Sequence, residues 1–307
     1  MKICLAVLVK NENIYLKEWI DHYKNIGIDH IYIGDNNFEN NEDVLSFIIQ
    51  NNYSDYITVL NYKQYQNDYL ECLNNFILDV YKNFGDLYDY FCSFDVDEFL
   101  SISKYISQNH NIKDYLTYME NNYDFDQIHI PWIIYDDNDK LFYENKPVQE
   151  RFKRLSESIE FEDNNDKLSP NNIFDITHKN LIKSIVKTKL NIKPLNVHTW
   201  ISNTNKTLNT VDCSGILNID ESYTQHITFK IYAVLKHYIS KSTEEYFYRR
   251  LDTTYKELNN IDKLQKFNFW VENYFRYNLY TPEKQKLINM YKLLYINNID
   301  LNEINKI

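Results

Sequence analysis

The sequence predicts an α/β fold, a mostly parallel sheet with flanking helices and a helical C-terminal extension. Three observations carry that expectation. Apolar runs rich in Val and Ile alternate with stretches of helical spacing through the first third of the chain, the pattern of strands joined by crossover helices. The first run, Ile3 to Val9, is continuous rather than alternating, as in a strand covered on both faces. The runs end in polar or acidic residues, and the carboxyl end of such strands is where an open α/β sheet receives ligands.

Taken in order, Ile3 to Val9 is the first strand, with Lys10, Asn11 and Glu12 at its end. Ile14, Leu16, Trp19, Ile20, Tyr23 and Ile26 then recur at helical spacing, and Gly27 stands where a helix stop belongs. His30 to Ile33 is a second strand, closed by Gly34, Asp35 and Asn36. Asp43 to Gln50 is a short helix, Tyr56 to Leu60 a third strand, and Asn67 to Phe84 a long amphipathic helix ending at Gly85. Tyr90 to Phe94 is the central strand. Right-handed crossovers bring the ends at Lys10, Asp35 and Asp95 to one rim.

Beyond it, Ile112 to Met119 reads as a helix and Gln127 to Ile134 as a strand carrying Trp132. Tyr135 to Lys140 is an acidic loop and Phe161 to Ile173 a polar surface loop. Leu181 to Val186 and Leu195 to Trp200 are short strands around Lys183 and His198. From Ile227 onward the pattern turns helical, with Ser242 as an N-cap. The last helix pair is Phe267 to Leu279 and Pro282 to Asn297, with Thr281 capping and Pro282 at the first position. No linker rich in Pro, Gly or Ser separates domains. The expected division is a core over residues 1–225 and a helical region over 226–307 packed on the same domain.

Composition excludes several functions. The chain of 307 residues holds only four Gly and neither a G-x-G-x-x-G nor a P-loop pattern, so no glycine-rich phosphate loop is present. Net charge is 33 − 44 = −11, which speaks against broad nucleic-acid binding. Cys4, Cys72, Cys92 and Cys213 are scattered without a C-x-x-C, as buried free thiols of a reducing compartment are. No apolar run is long enough to span a membrane, and no signal peptide is evident. The expected localisation is cytoplasmic.

The chemistry concentrates at Asp95-Val96-Asp97-Glu98, directly behind a buried strand. Carboxylates gathered there repel one another and are costly to desolvate. A hard divalent cation, Mn²⁺ or Mg²⁺, relieves that cost and leaves positions open for substrate phosphates. A solvated acidic turn is the plain alternative.

The segment from Val7 to Asn37, with Val-Lys-Asn-Glu, Glu18-Trp19, Gly27 and Ile31 to Asn36, resembles the opening of a GT-A fold glycosyltransferase, nearest to family 92 and family 2-like enzymes. Asp95-Val96-Asp97-Glu98-Phe99 resembles their metal motif. Weaker matches follow in the same order: Trp132, Glu150-Arg151-Phe152, Lys183-Ser184-Ile185-Val186, and His237-Tyr238 with Lys241-Ser242. The resemblance implies a Rossmann-like nucleotide-sugar core and transfer of a sugar, a hexose from UDP, to a hydroxyl of a glycan or other acceptor, with inversion. It implies Asp97 and His237 as metal ligands, Asp95 touching the metal or the ribose, Lys241 toward the diphosphate, Lys183 among the residues that bind the nucleotide sugar, and Asn11, Glu12, Asp35 and Asn36 toward the nucleoside. The animal and plant members commonly carry an N-terminal anchor, which suggests a bacterial or viral origin here.

Asp136, Asp137 and Glu150, with His198 behind them, are candidates for the base that takes the acceptor proton. Arg151 could equally bind Glu150 as an ion pair, and three acids in one loop could be solvated. A nucleotide-sugar-binding protein without turnover is the first alternative. A phosphatase with an aspartyl nucleophile is the second, disfavoured because Phe99 stands where its motif needs Thr or Val.

Overall fold

The computed structural model describes residues 1–37, 42–63, 69–156, 180–204, 206–217, 224–225, 231–251 and 259–299. They gather into two compact units, one of Met1–Ile133 with Phe161–His237 and one of Ile134–Glu160 with Tyr238–Ile307.

The first unit opens with β1 (Ile3–Val9), α1 (Asn13–Asn25), β2 (His30–Asp35), α2 (Val44–Gln50), β3 (Ile57–Asn61), α3 (Tyr69–Phe84) and β4 (Tyr90–Ser93). All seven residues of β1 are buried. It pairs in parallel with β2 on one side and β4 on the other, and β3 lies outside β2. The resulting order, β3-β2-β1-β4, is that of the first four strands of a doubly wound sheet. Helix α1 buries Tyr15, Leu16, Trp19, Ile20 and Tyr23. Ile14, expected in that stripe, is instead 60% exposed. Gly27 stops the helix at φ +100°, where the Ile28 N–H returns to the Tyr23 carbonyl at 3.1 Å.

Cys4, Ala6 and Leu8 share one face of β1 and pack on Cys72, Leu73, Phe76 and Val80 of α3. Gly34 belongs to that contact. A Cβ added there would lie 2.7 Å from Leu8 Cδ1 and 2.9 Å from the Phe76 ring, so the missing side chain sets how closely α3 approaches the sheet.

After β4 come β5 (Glu98–Ile102), α4 (Ile112–Asn122), β6 (Gln127–Ile134), β7 (Asn180–Lys187), β8 (Ile192–Pro194), β9 (Trp200–Ser202), β10 (Thr210–Asp212), β11 (Thr224–Gln225) and β12 (Ala233–His237). The sheet runs on as β4-β7-β6-β12-β5, with β10 on β6, β11 on β7, and β8 paired with β9 alone. Strand β7 is antiparallel to β4 and β6, and β12 to β5. In a flat sheet β4 and β5 would stand about 19 Å apart, four strand spacings. Only Phe94 to Asp97 joins them, and the Glu98 N–H already turns back to the Asp95 carbonyl at 3.0 Å. A link folded in that way cannot reach the flat-sheet distance, so the sheet curls and returns β5 toward β4.

Two segments differ from the expected elements. Glu98–Ile102, taken as the end of a motif, is a strand, and Ala233–His237, expected in a helical region, is its antiparallel partner. Both are five-residue segments that mix apolar and polar residues, too short for periodicity to separate strand from helix. The expected strand Leu195 to Trp200 is mostly the turn between β8 and β9, closed by Leu195 N–H on the Thr199 carbonyl. The expected loop Phe161 to Ile173 lies outside the described residues. All four cysteines are free and buried. Among the described residues no helix is long and apolar enough to cross a membrane.

The second unit contains α5 (Val148–Arg151), α6 (Thr243–Arg250), α7 (Asn260–Phe275) and α8 (Pro282–Ile296). Ser242 and Glu245 form a capping box on α6, and Thr281 caps α8 with Pro282 following. Tyr246, Phe247, Phe267, Tyr274, Ile288 and Tyr291 make its core.

Gly34→Ala is expected to destabilise the protein by about 1–3 kcal/mol, through a clash in a packed layer. Urea denaturation of the two proteins measures it.

Candidate active site at the end of β4

The acidic turn is fastened from below by α1. The Trp19 indole N–H donates to the carbonyls of Asp95 (2.9 Å) and Glu98 (3.1 Å). The Tyr23 hydroxyl donates to the Glu98 carbonyl at 2.9 Å and accepts the Leu100 N–H at 3.2 Å. The Glu98 carboxyl closes the turn by accepting the Asp95 N–H at 2.8 Å. With its backbone held in this way, the turn projects its acids from a fixed frame.

Those acids meet a buried cation. Lys183, opposite Ile130 in the β7–β6 ladder, has a side chain 1% exposed, and its Nζ lies 3.0 Å from Asp95 Oδ2 and 3.9 Å from Glu98 Oε2. Burial alone would lower the Lys183 pKa, but the charges of Asp95, Glu98 and Asp97 outweigh it and hold the ammonium above its ordinary value. Burial pushes the Glu98 carboxyl well above the usual carboxylate range, against the pull of Lys183 and with the help of Asp95 and Asp97. The cost that a divalent cation was expected to relieve is therefore met in part by Lys183, with Glu98 shifted by burial toward its neutral form.

His237 arrives from the other end of the chain. Pairing of β12 with β5 sets it directly across from Glu98, and its Nε2 lies 3.4 Å from Asp97 Oδ1, both side chains being buried. That separation exceeds a good N–H···O bond. Two ligands of one ion at about 2.1 Å stand about 3.0–3.4 Å apart, so the pair suits a shared cation. Among the described residues no three His, Cys, Asp or Glu side chains are grouped to hold a metal by themselves. Mg²⁺ and Mn²⁺ are commonly held by one or two carboxylates and completed by phosphate oxygens and water, and the His237 imidazole beside Asp97 is a softer ligand than Mg²⁺ prefers.

Trp132 of β6 abuts both imidazoles, 4.2 Å from the His237 ring and 5.4 Å from His198, each edge to face. His198 Nδ1 sits 2.8 Å from the Ile182 carbonyl, and burial with the nearby Lys183 charge lowers its pKa to about 4. Trp132 Nε1, His237 Nδ1 and Glu98 Oε1 are buried without a hydrogen-bond partner.

The ends of β1 and β2 lie on the same rim. Ser93 is level with Ala6, and Asp35 with Val9, so Asp95 and Asp35 stand at nearly one height. Asp35 accepts the N–H (3.0 Å) and side-chain amide (2.8 Å) of Asn37 and pairs with Lys63 at 3.2 Å. Asn11, in the left-handed region at φ +56°, donates its N–H to the Asn37 side chain at 2.6 Å. The Asn36 amide is turned to the Tyr62 carbonyl at 2.8 Å, and Glu12 is buried.

The remaining expected site residues belong to the second unit. Asp137 is fully buried, with Lys284 Nζ 2.9 Å and 2.8 Å from its two oxygens and the Tyr274 hydroxyl donating to one of them. Arg154 binds Asp136 through Nε and Asp139 through Nη1 at 2.7 Å, and Lys284 also reaches Asp139 at 2.9 Å. These acids form an ion-paired knot rather than a solvated loop. Glu150 is exposed. Arg151 does not pair with it but makes a buried bidentate contact to Glu245 at 2.7 Å and 2.8 Å. Lys241 is buried, at φ +52°.

The structure thus brings together Asp95, Asp97, Lys183 and His237, and adds Glu98, Trp132 and the two α1 anchors Trp19 and Tyr23. The Glu18-Trp19 match was visible in the sequence, but nothing there said that the indole would hold the acidic turn.

No family model and no curated protein matches the chain. Among solved structures it is similar to S. aureus TarS, at 12% identity and a TM-score of 0.33, over 44% of this chain and 22% of that one. S. aureus TarS 1-349 in complex with UDP matches at 11% identity and 0.33, over 44% of this chain and 36% of that one. TarS 1-349 alone gives 13% and 0.32, over 44% and 36%. The chain therefore covers well under two thirds of these proteins, and likenesses so slight carry no argument about activity.

Lys183→Met is expected to destabilise the first unit by about 3–5 kcal/mol, the effect of stripping one partner from a buried ion pair; denaturant melts test it. In the second unit, hydrogen bonding to Arg154 leads the effects that lower the Asp139 carboxyl from 3.8 to about 2, with burial opposing and Lys284 assisting. A lowered carboxyl pKa stabilises the folded state above the unfolded value and loses that effect as pH falls through the folded one. Asp139→Asn should therefore lower thermal stability above about pH 4, where the ionised carboxylate contributes, and flatten the further loss between pH 4 and about pH 2.

Proposed function

We propose that the protein is a divalent-cation-dependent glycosyltransferase that moves a sugar, a hexose in UDP linkage, to a hydroxyl acceptor. One observation carries this reading. A sequence-distant histidine, His237, comes within 3.4 Å of the second acid of an Asp-X-Asp turn, the spacing of two ligands on one ion, at the carboxyl edge of a β3-β2-β1-β4 sheet.

Asp97 and His237 would hold Mn²⁺ or Mg²⁺, which stabilises the charge that gathers on a departing diphosphate. Lys183 fixes Asp95 and balances the negative charge of the turn before substrate enters. Trp19 and Tyr23 keep the turn from relaxing, so that little rearrangement is needed on binding. On the nucleoside side, Asp35 offers a carboxylate toward ribose hydroxyls at the shared rim, with Asn11, Glu12 and Asn36 around it. Lys241 remains assigned to the diphosphate through the motif resemblance alone.

Asp136 and Asp137 are engaged by Arg154, Lys284 and Tyr274, which leaves the exposed Glu150 as the remaining carboxylate candidate for the base that accepts the acceptor proton. That engagement favours a second reading, a protein that binds nucleotide sugar without transferring it. UDP release separates the two.

A panel of UDP-sugars is incubated with the protein, with and without Mn²⁺, and free UDP is measured. Metal-dependent release is the expected result. Asp97→Ala and His237→Ala should each reduce it at least about 100-fold, with thermal melting close to the parent. Unchanged release in either variant removes the cation assignment, and binding without release supports the second reading.

A further inference from the structure

We infer that the indole N–H of Trp132 recognises the terminal phosphate of the bound nucleoside diphosphate. This rests on the nucleotide-sugar reading above and adds a residue to it. Trp132 is 7% exposed, and its ring packs edge to face against His237 and His198. So little open ring is left that stacking on a sugar is not its use. What remains is Nε1, buried without a partner.

An indole N–H can only donate. Burying it unpaired costs about 1–3 kcal/mol, a cost the folded chain carries until an acceptor oxygen arrives. The acceptor sits beside His237, one of the two groups assigned to the cation. Anionic oxygens gather where the cation is. Without it, Asp97 beside the imidazole repels them, so the contact forms only in the metal-loaded complex. The outer phosphate of a diphosphate is the one whose oxygens gain charge as the sugar leaves, and a fixed neutral donor there strengthens in the transition state. Trp132→Phe removes the N–H while keeping an aromatic ring. Because the N–H is unpaired without ligand, its removal breaks no hydrogen bond in the apo protein and relieves that cost, against the packing lost with the smaller ring.

The test is calorimetric titration of UDP and UMP into the Mn²⁺-loaded parent and Trp132→Phe proteins. The variant is expected to bind UDP about 10- to 100-fold more weakly, the range for a hydrogen bond to a charged group, while UMP affinity stays within about twofold. Equal weakening of both nucleotides would mean that the ring acts by packing, and unchanged UDP affinity would mean that the N–H is not used; either overturns the assignment. A parent protein that binds UMP and UDP alike also overturns it, leaving the nucleotide site standing. A parent protein that binds neither removes the nucleotide-sugar reading and the Trp132 role together. Should the variant fail to fold, ¹⁵N spectra of the parent loaded with diamagnetic Mg²⁺ decide. Among the four indole N–H signals, one must move downfield with UDP and not with UMP, and its absence refutes the contact.

Discussion

A single ammonium governs this site. Lys183 is sealed in the first unit beside Asp95 and Glu98, and three acids in four residues are tolerable at the end of a hydrophobic strand because it is there. Its influence is uneven. Asp95 gains a direct partner and keeps partial access to solvent, Glu98 is buried completely with its carboxyl pushed toward the neutral form, and Asp97 lies nearest to His237. One run of like residues thereby becomes three groups with different charge and reach.

The rest of the architecture supplies the means. Parallel strands deliver the acidic turn and the Asp35 corner to one rim. The curl of the sheet then carries β5 and β12 back to that rim, and with them His237. Helix α1 serves twice, covering the sheet with its apolar face and gripping the turn with Trp19 and Tyr23. Cover and frame are one element, so a change in α1 packing reaches the acids directly.

Much of this was legible in the sequence. The first four strands, the stop at Gly27, the caps at Ser242 and Thr281, and the acids behind the fourth strand all follow from local rules acting over a few residues. The rest depends on partners that local rules do not see. The short segment Ala233 to His237, with three apolar residues, reads alike as helix or strand until β5 is there to pair with it. Asp137 reads as a solvated loop acid because the lysine that neutralises it lies 147 residues away. Arg151 beside Glu150 suggests a local ion pair, whereas its true partner, Glu245, is reached only through the tertiary fold.

Because His237 reaches Asp97 through strand pairing, its identity there depends on the length of the chain around β12. Insert or delete one residue just before Ala233 and the ladder can re-form with Lys236 or Tyr238 across from Glu98, every side chain turned to the opposite face. Such a change would keep the strand and discard the imidazole. The site is therefore more fragile to indels in this segment than to most substitutions, and a homologue with an altered spacing between β5 and β12 would have to build its ion site from other residues.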